Sequence, residues 1–145
     1  MEQSADIRWQ QRLVSFGKAL KLLQEAMLNG PGALNQLEKE GAIQRFEYCF
    51  ELGWKTTKDY MEANGFVIAV LMPRQVLKEA YAAKIIANGE AWIAMLDHRN
   101  LLSHTYNSVL FEQVVEAIQE RYLPALEQLS EFMQLEAMQL SLIHI

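Results

Sequence analysis

In the opening segment of the chain, Trp9, Leu13, Phe16, Leu20, Leu23 and Met27 step by 4, 3, 4, 3 and 4. Only a helix of 3.6 residues per turn gathers such positions on one side, and a seam this long buries itself against other helices. Two further segments carry the same signal. Ile43, Phe46, Phe50, Trp54, Thr57 and Met61 step by 3, 4, 4, 3 and 4, and Val115, Ile118, Tyr122, Ala125, Leu129 and Phe132 by 3, 4, 3, 4 and 3. The fold class that follows is all-α: an up-and-down four-helix bundle with a short additional helix. Leu13, Phe16, Leu20, Phe46, Phe50, Trp54, Ile118 and Leu129 are its expected core.

Punctuation between the seams sets the expected boundaries. Ser4 or Asp6 suits the cap of a first helix over residues 5–28, which Asn29-Gly30-Pro31-Gly32 stops. A second helix runs to Ala63 and ends at Asn64-Gly65, with a kink or break expected at Gly41 after a short lead-in over 34–40. Residues 66–72 read as an apolar connection. Pro73 opens a third helix, expected to reach Ala87. A fourth begins near Glu90, after Asn88-Gly89, and runs into His104-Thr105-Tyr106-Asn107. Ser108 is positioned to cap a fifth, which Pro124 should kink. The tail, 135–145, reads as one or two more helical turns or as a frayed end of one domain spanning 1–145.

Composition narrows the function. The 145 residues include 13 basic and 18 acidic side chains, a net charge of −5, which disfavours a general nucleic-acid coat while leaving room for a local basic site. A single cysteine, Cys49, excludes an internal disulfide and a four-thiolate metal site, and its apolar neighbours make it a small buried hydrophobe. Apolar runs stay well short of the ~18 residues of a membrane span, and the first residues lack a signal core. A soluble, cytoplasmic chain is expected. Glu38, Glu40, Glu47, Glu51 and Asp59 stand beside Lys and Arg and read as solvated faces. His98 and His144 have no second ligand at metal spacing, so neither a metal nor a cofactor is expected.

One stretch stands apart: Asp97-His98-Arg99-Asn100-Leu101-Leu102-Ser103-His104-Thr105-Tyr106. Polar residues collect at helix ends for structural reasons, and a histidine near a helix C-terminus is favoured by the dipole. Arg99, however, continues the apolar seam of Trp92, Met95 and Leu102, where a guanidinium is costly unless paired or facing a cleft. On a straight helix Arg99 and Tyr106, seven apart, share a face, while Arg99 and His104 point ~140° apart. Arg99 and His104 therefore converge only if the helix ends near Ser103 or if a second copy brings its own cluster across a dimer axis.

Arg99, His104 and Tyr106 resemble the Arg-x4-His-x-Tyr signature of the HEPN superfamily. Residues of the second helix resemble one branch of it, the nucleotidyltransferase substrate-binding proteins: Gln44-Arg45-Phe46-Glu47-Tyr48, Phe50-Glu51-Leu52, Trp54-Lys55-Thr56 and Lys58-Asp59-Tyr60. Pro73-Arg74 and Trp92, Met95 and Asp97 extend the likeness, which covers about residues 5–133. The resemblance implies a HEPN-like helical bundle that forms homodimers and is encoded beside a minimal nucleotidyltransferase. It implies one of two functions: a metal-independent ribonuclease toxin silenced when AMP is transferred to Tyr106, or a non-catalytic subunit that presents substrate to the nucleotidyltransferase. A structural helical dimer without a site is the third reading.

The residues suit RNA cleavage. Attack by a 2′-hydroxyl needs a base, an acid and a cation for the phosphorane. Histidine, with its ordinary pKa of ~6.5, serves in either proton role. His104 is the expected acid–base group and Arg99 the phosphate fork. Asn100 would hydrogen-bond the phosphate or fix the His104 tautomer, and Tyr106 would bind phosphate or accept AMP. One histidine per chain does not readily act as base and acid at once, which ties activity to a homodimer. RNA or a nucleotide and the nucleotidyltransferase are the expected partners, with no membrane.

Overall fold

The computed structural model describes residues 2–143; His144 and its place in the tail fall outside that range. Six α-helices follow in order: α1 (Glu2–Ala26), α2 (Gln36–Ala63), α3 (Pro73–Ala82), α4 (Gly89–Leu102), α5 (Ser108–Ala117) and α6 (Leu123–Ile143). A π-helical turn, Ile118–Tyr122, joins α5 to α6 without leaving helical backbone, so these two make one long rod.

Cross-helix contacts give the directions. The start of α2 meets the end of α1, where Arg45 Nη1 donates to the Leu22 carbonyl at 2.7 Å. The end of α2 meets the start of α1, where the Tyr60 and Trp9 rings pack edge to face. The rod runs alongside α2, with Lys39 on Glu112 at its start, Phe46 stacked on Tyr122, and Tyr60 on Phe132 further along. α4 packs on the middle of α2 along its length, Trp92 at Gly53 and Arg99 at Glu51. The four long elements, α1, α2, α4 and the rod, alternate up and down, and short α3 pairs with α4. The expected bundle with its additional helix is what forms, and every one of the eight anticipated core residues is buried.

The boundaries differ in instructive ways. α1 begins at Glu2, so neither Ser4 nor Asp6 caps it; Asp6 instead accepts from the Trp9 indole N–H at 3.2 Å. Gly41 does not break α2. Asn35 and Glu38 close a reciprocal cap before it, and the helix then runs unbroken to Ala63. α3 stops at Ala82, five residues early, because Lys84 turns into the left-handed region at φ 63° and Asn88 caps α4. Asn107, rather than Ser108, caps α5. At Pro124 the ladder has no donor, and the preceding turn widens to a π form. The tail through Ile143 is helical, tied to α2 by a Tyr60 hydroxyl that donates to Glu136.

Gly53 is the glycine at which core side chains leave no room for a Cβ. A Cβ there would stand 2.9 Å from Trp92 Cη2 and 3.2 Å from Phe16 Cε1, so α4 and α1 close on bare backbone of α2. Gly53→Ala should destabilise the fold by about 1–3 kcal/mol despite alanine's better helix propensity. Gly41, mid-helix with nothing within 4 Å of a built Cβ, should do the reverse, Gly41→Ala gaining about 0.5–1 kcal/mol. Urea unfolding of both variants checks the opposite signs; equal signs would refute this account of packing.

Candidate functional site

Arg99 and Asn100 lie in the last turn of α4, while His104 and Tyr106 lie on the turn that follows it. That turn is held from both ends by its own side chains. Ser103 caps α4, its amide donating to the Arg99 carbonyl at 3.3 Å and its hydroxyl to the Asn100 carbonyl at 2.7 Å. Asn107 Oδ1 accepts from the amides of Val109 and Leu110 at the start of α5. Ending α4 at Leu102 meets the condition that the sequence set for Arg99 and His104 to converge. It also removes the shared helical face expected for Arg99 and Tyr106, since Tyr106 is no longer on the helix.

Partners on α2 complete the site, and sequence reasoning missed them. The Arg99 guanidinium donates through Nη2 to Glu51 and through Nη1 to Asn100 Oδ1, the latter at 3.0 Å. Glu51 is fixed in turn by the Trp54 indole N–H at 3.1 Å and by Lys55 at 3.7 Å. Half-burial pushes the Glu47 carboxyl above its usual range; Arg99 pulls it back and Glu51 adds to the rise. Tyr106, 82% exposed, donates its hydroxyl to Glu40 at 2.9 Å, and that bond raises the phenol's pKa. Its ring rests edge to face on Phe111.

Glu40, Glu47 and Glu51 fall on one face of α2, spaced by 7 and 4. They are therefore not a solvated face: they line up beneath the α4 end and its turn. Asp59 departs further, at 3% exposure, with Arg12 Nε 3.3 Å away and Lys58 at 3.6 Å. The expectation failed because it paired each acid with cations nearby in sequence, whereas the decisive partners of Glu40, Glu51 and Asp59 come from other helices or the α4–α5 turn. Glu38 belongs to the α2 cap. The one available signal was Arg99 itself, a cation on an apolar seam that required a carboxylate opposite.

His104 is exposed on the turn. His98, one turn before Leu102, plays a different part: its Nδ1 shares a 2.7 Å hydrogen bond with the Tyr122 hydroxyl at the π-turn. Burial lowers the His98 pKa, Arg121 lowers it further and Asp97 opposes. Burial also raises the Tyr122 phenol, to about 12. Cys49 is buried and its thiol is pushed up, as a small core hydrophobe should be. Among the described residues no group of three His, Cys, Asp or Glu side chains could hold a metal ion, and no helix is long and apolar enough to cross a membrane.

Arg99 and Asn100 thus lie in the last turn of α4, with His104 and Tyr106 on the turn after it, and similarity to known proteins gives the family. Residues 11–135 match the family described as nucleotidyltransferase substrate binding protein like. The chain belongs to that family. It is thereby a member of the HEPN superfamily's nucleotidyltransferase substrate-binding branch. Over 70 residues the chain is 34% identical to a probable ribonuclease, HepT, of Haemophilus influenzae; the match takes in 46% of this chain and 48% of that protein. The chain thus spans about half the length of that curated relative. A crystal structure of a Thermus thermophilus protein aligns with a TM-score of 0.68 at 33% identity, over 79% of this chain and 94% of the other. A helical bundle is therefore shared with a solved relative.

The half-buried His98 makes a prediction about pH. Its pKa is lower folded than unfolded, so its contribution to stability is present above the ordinary histidine range near ~6.5 and is lost as the pH falls through the folded value. The urea midpoint should drop between pH 7 and pH 5, and the drop should shrink in His98→Asn. An unchanged drop in that variant would show that His98 is not the group responsible.

Proposed function

We propose that this chain is a metal-independent ribonuclease, the toxin of a toxin–antitoxin pair, which a minimal nucleotidyltransferase silences by transferring AMP to Tyr106. What supports the reading is the succession of Arg99 and Asn100 on the last turn of α4 and His104 and Tyr106 on the turn after it, in a chain similar to a probable ribonuclease. In the reaction the 2′-hydroxyl attacks phosphorus, the 5′-oxygen leaves, and a 2′,3′-cyclic phosphate forms. A histidine takes the 2′ proton and a second returns one to the 5′-oxygen, so His104 acts with its counterpart on a second copy in a homodimer. Arg99 holds the phosphorane charge and Asn100, hydrogen-bonded to it, keeps the fork in place.

Tyr106 suits the modification because its hydroxyl is exposed and already hydrogen-bonded to a carboxylate. Its oxygen would attack the α-phosphorus of ATP, pyrophosphate would leave, and Glu40 would receive the phenolic proton. Arg99 and Tyr106 contact α2 at Glu51 and Glu40, eleven residues apart and so about 16 Å along the helix. Silencing then works by placing an anionic, bulky group at the mouth of the site rather than by direct pairing with Arg99.

The second reading, a non-catalytic substrate-binding subunit of the nucleotidyltransferase, is favoured by one observation. The acidic face of α2 already occupies part of the Arg99 fork.

Two measurements separate these readings. RNA cleavage by the chain alone should persist in EDTA, yield cyclic phosphate ends, and fall at least ~10²-fold in Arg99→Ala and in His104→Ala. Light scattering on the same samples should show a dimer wherever activity is present. Cleavage that survives both substitutions, or needs metal, rejects the site. With the cognate nucleotidyltransferase and ATP, intact mass should rise by whole adenylyl groups in wild type, more slowly in Glu40→Gln, and not at all in Tyr106→Phe. The same adduct on Tyr106→Phe ends the silencing account, and the substrate-binding reading gains.

A further inference from the structure

On the side of Arg99 away from α2, the start of α3 and the end of α4 enclose a groove of about 390 Å³. That lies near the lower end of the ~300–1,000 Å³ range of small-molecule sites, room for one nucleotide unit. Its apolar wall is made by Met72, Pro73 and Leu96, and its polar wall includes Lys78, Arg99 and Asn100. Arg74 also lines it while bridging α3 to α4 through Asp97 at 2.7 Å.

The charge of this lining is unlike that of the rest of the chain. Three cations line the groove and no carboxylate does, in a protein of net charge −5; Arg74 and Arg99 are paired to Asp97 and Glu51 just outside the lining, so Lys78 carries its uncompensated charge. Lys78 is exposed and has no ion-pair partner among the described residues, so its charge is not spent within the fold. The start of α3, where Met72 provides no side-chain cap, adds partial positive charge of the same sign. The α2 side of Arg99 is the opposite: Glu40, Glu47 and Glu51 would repel a phosphate chain. A polyanion approaching Arg99 from the groove meets Lys78 and the start of α3, whereas from α2 it meets carboxylates.

We propose that this groove is a subsite for single-stranded RNA, holding the nucleotide next to the phosphate at Arg99. The inference rests on the ribonuclease reading and gives its substrate a direction. The face of one base lies on the Met72, Pro73 and Leu96 wall, where the polarisable thioether and the proline ring offer a flat apolar contact. The adjoining phosphate meets Lys78 and Arg74 beyond Arg99. A base must be unstacked to enter, so duplex RNA is excluded.

The test uses the full-length chain and a fluorescent RNA oligomer made uncleavable by 2′-O-methyl groups, so that binding is read without cleavage. Lys78→Glu should weaken binding at least fivefold, Met72→Asp should do the same, and Lys21→Glu, an exposed α1 change far from the groove, should stay within twofold. In Lys78→Ala, loss of one phosphate contact should flatten the slope of log binding constant against log salt by about 0.7, a change that a fold defect would not give. A duplex of the same sequence should compete poorly. Cleavage of the natural oligomer should show the Lys78→Glu defect in KM more than in kcat. Wild-type binding and cleavage that ignore Lys78→Glu and Met72→Asp overturn the groove and leave the ribonuclease reading standing. Groove-dependent binding without any cleavage keeps the groove and removes the ribonuclease. Absence of both binding and cleavage overturns both.

Discussion

Trp92 lies against α2 at Gly53, close enough that even a methyl group would have to displace its ring. This contact sets the spacing of α4 from α2, and Phe50 and Phe16 close around it. Because a helix is stiff over two turns, fixing α4 at Trp92 also fixes where its last turn arrives. Arg99, seven residues on, comes within reach of Glu51 on the same helix that carries Gly53. The cation that sits oddly on an apolar seam is therefore the consequence of close packing below it. The seam brings the guanidinium to α2, and a carboxylate there offsets its desolvation.

α2 consequently has two jobs on separate faces. One face supplies Phe46, Phe50, Trp54 and Met61 to the core. The other presents Glu40, Glu47 and Glu51 beneath the α4 end and its turn. The site is thus electrostatically one-sided: carboxylates fix Arg99 and Tyr106 from α2, while cations gather in the groove at α3. An overall acidic chain and a local cluster of cations are compatible because short-range fields, screened within roughly 8–10 Å in physiological salt, decide what an approaching ion meets.

Helices with sustained periodicity were legible from the sequence almost residue by residue, since burial of a seam is a local pattern. Their ends were less so. The first helix starts before its apparent caps, the third stops before its apolar pattern does, and Gly41 is simply absorbed, because long-range packing outweighs the small cost of one glycine. Of the candidate site, the motif residues were legible: Arg99 and Asn100 lie in the last turn of α4, and His104 and Tyr106 follow on the turn. Glu40, Glu47 and Glu51 were misread, as each has nearby cations in sequence that seemed sufficient.

The sequence by itself determined an all-helical chain, the composition of its core, and a helix end rich in Arg, Asn, His and Tyr, because period and residue chemistry are written locally. Only the tertiary structure decided which helix stands opposite that end, that Arg99 is held by Glu51 and Tyr106 by Glu40, and that cations line the groove on the far side. Those pairings join residues 48 and 66 positions apart. Nothing local specifies them: they follow from α4 settling onto the bare backbone at Gly53, a fit that exists only when three helices pack at once.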